Sequence, residues 1–311
     1  MPELVRGFEE DSARTGVHTG AVKRLSRHKW RPLAVAAVLV ALAYGLNLAV
    51  SRARAVSTDY TPLQRQVLAF IETRPQRFGI YFKDLTSGQE WGMDADRPFP
   101  AASTVKVPIA LYVNELVAQG RLKWTDRVRY EQAIDYAGGA GVLQHDGMDG
   151  ATYSLRVLTN LLITISDNVA WQMLTRFLGK ENIAAFMRSL GGRTVFPGGQ
   201  NVSTARDMGV YVQAVLNFAQ RRPELGQRLL DDLAHTIWHV GLPGKLPPDV
   251  VVAHKEGDIT GVADDVGVVF SRRPYILCIM SQGVEDIESG FADISTISRM
   301  VYDFQERLAG R

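Results

Sequence analysis

The segment Phe99-Pro100-Ala101-Ala102-Ser103-Thr104-Val105-Lys106 holds the pattern on which the interpretation of the chain depends. Apolar residues follow it at helical spacing, so a helix is predicted to begin at Ser103. Residues three positions apart share one face of a helix, and the Ser103 hydroxyl and Lys106 amine are therefore predicted to lie side by side. A serine becomes nucleophilic when a neighbouring base takes its proton, and a lysine is such a base when burial or nearby cations lower its pKa.

A serine and a lysine at this spacing also arise by chance at ordinary helix starts, so support is needed from elsewhere in the chain. Ser166-Asp167-Asn168 falls where one apolar helix stops and another begins, although all three residue types are also common helix caps. His254-Lys255-Glu256-Gly257 is predicted to end a strand that begins at Val250, which is also consistent with a plain turn. Each motif is weak by itself, and the order and placement of all three carry the argument.

The rest of the body predicts strands at both ends and helices between them. A helix is expected from Thr61 to about Arg74, and a last helix from about Asp293 to Leu308. Strands are predicted at Phe78–Leu85, near Trp91, and at Val250–His254, Val262–Phe270 and Tyr275–Ser281. Residues 103–242 are mostly helical in pattern. The sequence therefore predicts an α+β fold: one antiparallel sheet built from both chain ends, flanked by helices, with an all-α lobe inserted into it.

In order and position, the three motifs resemble the Ser-x-x-Lys, Ser-Asp-Asn and Lys-Thr-Gly boxes of class A β-lactamases and penicillin-binding proteins. The resemblance extends over residues 61–308 and includes local texture such as Gly139-Ala140-Gly141-Val142-Leu143. It implies a β-lactamase/transpeptidase-like domain over residues 61–311. Residues 61–102 and 243–311 would form the α/β lobe, and residues 103–242 the helical lobe.

The resemblance also implies a role for each motif residue. Catalytic roles fall to Ser103 as the acylated nucleophile, Lys106 as its base, Ser166 as proton relay and Lys255 as a source of positive potential. Substrate contacts fall to Asn168, Glu256, Gly257 and Asp258, with the backbone N–H groups of Ser103 and Asp258 as the oxyanion hole. No metal and no cofactor is implied, and the substrate would be a β-lactam, or a cell-wall-type amide, peptide or ester.

The chain departs from the family where the acyl-enzyme would be hydrolysed. Class A β-lactamases carry a glutamate after the Ser-Asp-Asn box, but here Glu181 is the one acidic residue between Asn168 and Ser203. It comes too early and sits in a helical pattern. Gln200 or Asn201 offers polar atoms to position a water, but neither takes a proton at neutral pH. Slow turnover of an acyl-enzyme is therefore expected.

The third box departs as well, because Glu256 stands where the family usually has a threonine that binds the substrate carboxylate. If Glu256 and Asp258 both point into the cleft, they would repel a carboxylate. The substrate would then lack a carboxylate or carry an amine. Alternatively, Glu256 pairs with Lys255 or points outward.

Other features of the chain argue against further functions. The net charge of +2 and the absence of a basic-aromatic stripe give no sign of nucleic-acid binding. The His235–His239 pair lacks the adjacent glutamate of zinc helices, and Asp264-Asp265 is interpreted as a solvated strand turn. Cys278 lies in an apolar run and is predicted to be a buried strand thiol.

The N-terminal sequence predicts that the body of the protein lies outside the cytoplasm. Residues 33–50 are apolar apart from Asn47, and as a helix they span roughly 27 Å, close to the thickness of a bilayer core. Basic residues precede this run, so residues 1–31 are expected in the cytoplasm, 32–50 as a transmembrane signal-anchor, 51–60 as a linker, and the body outside. The alternative is a secreted protein cleaved after Ala55.

Three alternatives in function stay open at this point. One is a penicillin-binding or D-alanyl-peptidase-like enzyme, favoured by the missing glutamate. Another is a catalytically silent module that senses wall fragments or β-lactams, favoured by Glu256. The third is a structural membrane partner that makes contacts through residues 1–31.

Overall fold

The computed structural model describes residues 57–310 of the chain. The predicted cytoplasmic tail, the transmembrane helix and most of the linker lie outside these residues. Within them, no helix is both long enough and apolar enough to cross a bilayer.

The elements follow one another in the predicted order of strands, helices and strands. The first part comprises α1 (Thr61–Ile71), β1 (Arg77–Asp84), β2 (Glu90–Met93), β3 (Phe99–Pro100), a 3₁₀ helix (Ala102–Val105), α2 (Lys106–Ala118), β4 (Arg127–Arg129), α3 (Gln132–Asp135), α4 (Leu143–Asp146) and β5 (Thr152–Ser154). The middle comprises α5 (Leu155–Thr164), α6 (Asn168–Leu178), α7 (Lys180–Ser189), a second 3₁₀ turn (Pro197–Gly199), β6 (Val202–Ser203), α8 (Ala205–Arg221) and α9 (Pro223–Ala234). The last part comprises β7 (Val251–Ile259), β8 (Val262–Phe270), β9 (Tyr275–Gln282) and α10 (Ile287–Ala309).

The main sheet joins both ends of the chain, as the sequence predicts. Its five strands lie in the order β2-β1-β9-β8-β7, and every neighbouring pair is antiparallel. β1 pairs with β9 along its whole length, from Arg77 opposite Gln282 to Asp84 opposite Tyr275. β7 is therefore left as an edge strand, and the third motif lies on it.

Both faces of this sheet are covered, which explains why β9 is apolar throughout. Ile276 and Cys278 face a core shared with the helices of the inserted lobe. Leu277 and Ile279 alternate with them and face a second core, formed with the two terminal helices α1 and α10. Since side chains alternate across a strand, a strand buried on both faces reads as one continuous apolar run. Cys278 is fully buried, as predicted.

Several boundaries differ from the sequence predictions. β7 continues through the third motif to Ile259, so that motif lies inside a strand and not at its end. The solvated turn predicted at Asp264-Asp265 is wrong: both residues are fully buried near the start of β8. The last helix begins at Ile287, six residues before the predicted start at Asp293, and the predicted helix at Ser103 opens with a 3₁₀ turn. The short ribbons β3–β6 and β4–β5 were not predicted.

Candidate active site

Ser103 lies in the 3₁₀ turn that precedes α2, against the edge strand β7. Ala102 adopts a left-handed backbone conformation with φ of 42°, which turns the chain sharply into the helix. The third motif must hold a glycine here, because a Cβ on Gly257 would lie 2.7 Å from the Ser103 nitrogen. The close approach of backbone to backbone places Ser103 beside β7 at a fixed separation.

Lys106 is the first residue of α2, and its side chain is completely buried. Its Nζ lies 2.6 Å from the carbonyl oxygen of Ser166, 3.0 Å from Ser166 Oγ and 2.7 Å from Asn168 Oδ1. Burial, and next the positive charge of Lys255, lower the pKa of Lys106 from 10.5 to about 7. A lysine so placed is neutral often enough near pH 7 to take a proton.

The second motif forms the junction between α5 and α6. Ser166 adopts a left-handed conformation with φ of 55°, and Asp167 caps α6 by accepting the backbone N–H of Ala170. The same buried carboxylate accepts the N–H groups of Val142 and Leu143, 2.8 and 2.9 Å away. Asp167 therefore ties the loop that bounds one side of the cleft to the helix that carries Asn168.

Asn168 joins this loop to the lysine. Its Oδ1 accepts from Lys106, and its Nδ2 donates to the carbonyl oxygen of Gly138 at 2.8 Å. Both ends of the amide are thus used within the protein. A substrate that bonds to Asn168 must share these contacts or displace one of them.

Lys255 projects from β7 and is almost fully buried. Its Nζ donates to the carbonyl oxygen of Glu256 at 2.7 Å and lies 5.7 Å from the centre of the Trp238 ring. Burial lowers its pKa from 10.5 to about 8, while Asp265, Glu256 and Asp258 act in the opposite direction. Lys255 is therefore mostly charged at neutral pH, and its charge disfavours the protonated form of Lys106.

The Glu256 carboxylate is fixed by the segment that precedes β7. Its Oε1 accepts the backbone N–H groups of Val240 and Gly241, 3.0 and 2.8 Å away. Leu242 N–H donates in turn to Asp265, so three consecutive amides bind two buried carboxylates. Burial, and next the negative charge of Asp265, raise the pKa of Glu256 from 4.5 to about 7. The sequence left open whether Glu256 pairs with Lys255 or points outward, and its observed partners are backbone amides.

Glu256 and Asp265 also meet His254, an arrangement that the sequence analysis missed. Ligand atoms of the three buried side chains lie within 4.8 Å of one another, as in groups that can hold a metal ion. His254 Nδ1 lies 3.0 Å from both carboxylate oxygens of Asp265. A residue opposite Glu256 on the neighbouring strand shares its face, but the strand register was needed to see this.

These residues surround a cleft of about 490 Å³ between β7 and the helical lobe. Of the eight predicted site residues, six line it: Ser103, Ser166, Asn168, Lys255, Glu256 and Asp258. Lys106 lies beneath it and Gly257 packs against Ser103. The cleft also has an apolar wall that was not predicted from the sequence, formed by Trp238, Val240, Ile259, Ile287 and Phe291. They come from three segments, which are the chain before β7, β7 itself and α10, so no single spacing in the sequence joins them.

The segment where the family glutamate is expected runs along β3. Asn201 Nδ2 donates to the carbonyl oxygen of Ala102 at 2.8 Å, and its Oδ1 is buried without a partner in the described part of the chain. Gln200 is exposed, and Glu181 is exposed on α7. An amide oxygen, and no carboxylate of this segment, therefore lies next to the residue that precedes Ser103.

Fold and site together define a class of protein, and comparison with known proteins agrees. The sequence model described as "Beta-lactamase enzyme family" matches residues 62–305, and the chain belongs to this family of serine hydrolases. β-lactamase AST-1 of Nocardia asteroides is 29% identical over 252 residues, which cover 74% of this chain and 80% of that protein.

Solved structures give the same fold. The structure of PBP-A has a TM-score of 0.74 and 30% identity, covering 79% of this chain and 97% of that one. A mutant of PBP-A, solved as an acyl-enzyme complex with penicillin G, gives the same figures. A β-lactamase from Sphaerobacter thermophilus has a TM-score of 0.71 and 28% identity, covering 80% of this chain and 99% of that chain.

Proposed function

We propose that this hydrolase forms an acyl-enzyme on Ser103 with β-lactams or with amides and esters of the cell-wall type, and releases the acyl group slowly. The observation that carries the proposal is the buried Lys106 amine, which has a pKa of about 7 and lies 3.0 Å from Ser166 Oγ. One turn of helix separates this base from Ser103, which lines the cleft.

In the first step Lys106 takes the proton of Ser103 as Oγ attacks the substrate carbonyl. The negative oxygen of the intermediate accepts the backbone N–H groups of Ser103 and Asp258, which flank the contact between the 3₁₀ turn and Gly257. As the carbonyl–nitrogen bond breaks, the proton passes from Lys106 through the Ser166 hydroxyl to the leaving nitrogen. Protonated Lys106 donates a hydrogen bond to the Ser166 hydroxyl, and neutral Lys106 has a lone pair that accepts one from it. A proton can therefore pass between the two side chains in either direction.

Release of the acyl group needs a water and a base that activates it. The described residues near Ser103 offer a place for the water but no carboxylate in the segment where the family has its glutamate. Among residues 57–310 no group bonds to Asn201 Oδ1, and the Asn201 amide lies against Ala102, which suits it to holding a water. An amide takes no proton at neutral pH, and Glu181 is on the exposed surface of α7. A long-lived acyl-enzyme is therefore expected, which favours a penicillin-binding or D-alanyl-peptidase-like activity over fast lactam hydrolysis.

The site would face the cell envelope. The apolar run at residues 33–50 and the basic residues before it support a membrane tether with the body outside the cytoplasm. A secreted form cleaved after Ala55 would carry the same site to the same side. A silent sensor module is the second candidate, and the carboxylate at Glu256 is the observation that favours it.

The test is a time course of the intact mass of the full chain, with benzylpenicillin and, separately, its methyl ester. The wild type should gain the mass of one lactam, Ser103→Ala should gain none, and the adduct should persist for many turnover times of a typical hydrolase, about 0.1 s each. An adduct lost within seconds would indicate a β-lactamase. No adduct with either compound would contradict acylation by lactams and favour the silent module.

A further inference from the structure

We propose that the cleft selects acyl compounds that carry an uncharged, apolar group, and no carboxylate, at the end that lies beside β7. The inference rests on the proposed acyl transfer to Ser103 and names the class of substrate for that reaction. It follows from the charges that line this end of the cleft, from the hydrogen bonds that fix them, and from the apolar wall beside them.

The charges at this end of the cleft are mostly negative. Glu256 and Asp258 both line it, and Lys255 is the one cation among the lining residues in the described part of the chain. Lys255 is directed to the carbonyl oxygen of Glu256 and lies beside Trp238, where it is almost fully buried. The pKa of Glu256 is about 7, so at pH 8 its carboxyl group is mostly ionised. An incoming carboxylate would then meet two negative charges and a single cation that already has a partner.

The Glu256 side chain is held in place and cannot rotate away from a substrate carboxylate without losing hydrogen bonds. Its Oε1 is held by two backbone N–H groups, of Val240 and Gly241, and the side chain is 5% exposed. An ionised carboxylate only accepts hydrogen bonds, so Glu256 offers no donor to a substrate carboxylate. Position 256 therefore excludes an anion.

Apolar side chains complete the same end of the cleft. They come from three parts of the fold, namely the segment before β7, β7 itself and α10, and are Trp238, Val240, Ile259, Ile287 and Phe291. Val240 is 53% exposed and Ile259 is 51% exposed. Grouped apolar residues that stay exposed in a cleft indicate a surface that a ligand covers.

The test compares benzylpenicillin with two derivatives that differ only at the carboxylate: its methyl ester, which is neutral, and its 2-aminoethyl amide, which is cationic. In each reaction the Ser103 Oγ–carbon bond forms as the lactam carbon–nitrogen bond breaks, and the serine proton ends on the lactam nitrogen. The acylation rate constant of the full chain is measured by intact mass at pH 8. Each value is divided by the rate at which the same lactam hydrolyses in buffer.

The wild type should acylate with the methyl ester at least about tenfold faster than with the acid, because like charges lie a few ångströms apart in a partly dry site. Glu256→Gln keeps an acceptor for Val240 and Gly241 but removes the charge, so the ratio should fall toward one. Glu181→Gln removes an exposed charge outside the cleft and should leave the ratio unchanged.

The outcomes separate the inference from the function on which it rests. Faster acylation by the acid than by the methyl ester in the wild type would overturn the inference, while Ser103 would remain the nucleophile. A tenfold preference for the cationic amide over the methyl ester would overturn the uncharged class in favour of an amine. If the ratio of the methyl ester rate to the acid rate is unchanged in Glu256→Gln, Glu256 is not the cause of the preference, and the inference is contradicted. No adduct with any of the three would contradict the proposed function itself.

Discussion

Lys106 Nζ lies 3.0 Å from Ser166 Oγ, although the two residues are sixty positions apart in the chain. The contact joins the start of α2 to the junction of α5 and α6, so the base and the proposed proton relay belong to different parts of the helical lobe. A second bond, of 2.6 Å to the Ser166 carbonyl oxygen, holds the lysine in place. Proton transfer between the two side chains therefore needs no movement of the backbone.

Replacing Lys106 should abolish most acylation. Lys106→Ala removes the base from a site that no other described amine reaches except Lys255, and we expect acylation to fall roughly 10²–10⁴-fold. Lys123→Ala removes an exposed lysine outside the cleft and serves as the matched control. The rate constant of acylation is measured from the intact mass of samples that are quenched at successive times. Acylation within threefold of the wild type would contradict the assignment of Lys106 as base.

The pH dependence of acylation should be bell-shaped. The rate should rise through pH about 7 as Lys106 loses its proton, and fall above about 8 as Lys255 loses its charge. Lys255→Arg keeps a positive charge at high pH, because an arginine stays protonated, and should remove the fall above pH 8. Glu256→Gln should retain the rise near pH 7, since Glu256 is not its source. A flat profile in the wild type would contradict both assignments.

A methyl group at position 257 should disturb the site more than the fold. The Cβ of Gly257→Ala would lie 2.7 Å from the Ser103 nitrogen and 3.0 Å from the Thr104 nitrogen, so either β7 or the 3₁₀ turn must move. We expect a loss of about 1–3 kcal/mol in the free energy of unfolding and a much larger proportional loss of acylation. Thr260→Ala, on the exposed end of the same hairpin, is the control. Wild-type acylation in Gly257→Ala would show that the close contact is unnecessary.

Glu256 should make the stability of the protein depend on pH. Its pKa in the folded state is raised above the unfolded value, so the protonated form favours folding, and stability is lost as pH rises through about 7. The melting temperature of the wild type minus that of Glu256→Gln should therefore decrease between pH 5 and pH 8. Lys106 and the other groups contribute to both proteins and largely cancel in the difference. An increase over this range would contradict the raised pKa.

The sequence was informative where short-range patterns decide the structure. The three motifs, the apolar run of Tyr275–Ser281 and the helix after Ser103 are local, and the structure brings all eight predicted site residues together. The environment of Glu256 was not predictable in this way. Its partners Val240 and Gly241 lie fifteen or more positions away in irregular chain, and nothing in the sequence marks their backbone N–H groups as donors.

The error at Asp264-Asp265 has a physical cause as well. Two adjacent carboxylates in an isolated sequence indicate solvent, because burial of an unpaired charge is costly. Here Asp265 is offset by His254 and the Leu242 N–H, while Asp264 accepts the Ser281 N–H and burial raises its pKa well above the ordinary value. Both compensations come from other strands or loops, and only the sheet register reveals them.

The most direct measurement of the central claim is peptide mapping of the full chain after reaction with benzylpenicillin methyl ester. We expect one adduct, on the peptide that contains Ser103, and none on that peptide in Lys106→Ala over the same time. An adduct on Ser166 or on another residue, with Ser103 unmodified, would contradict the account.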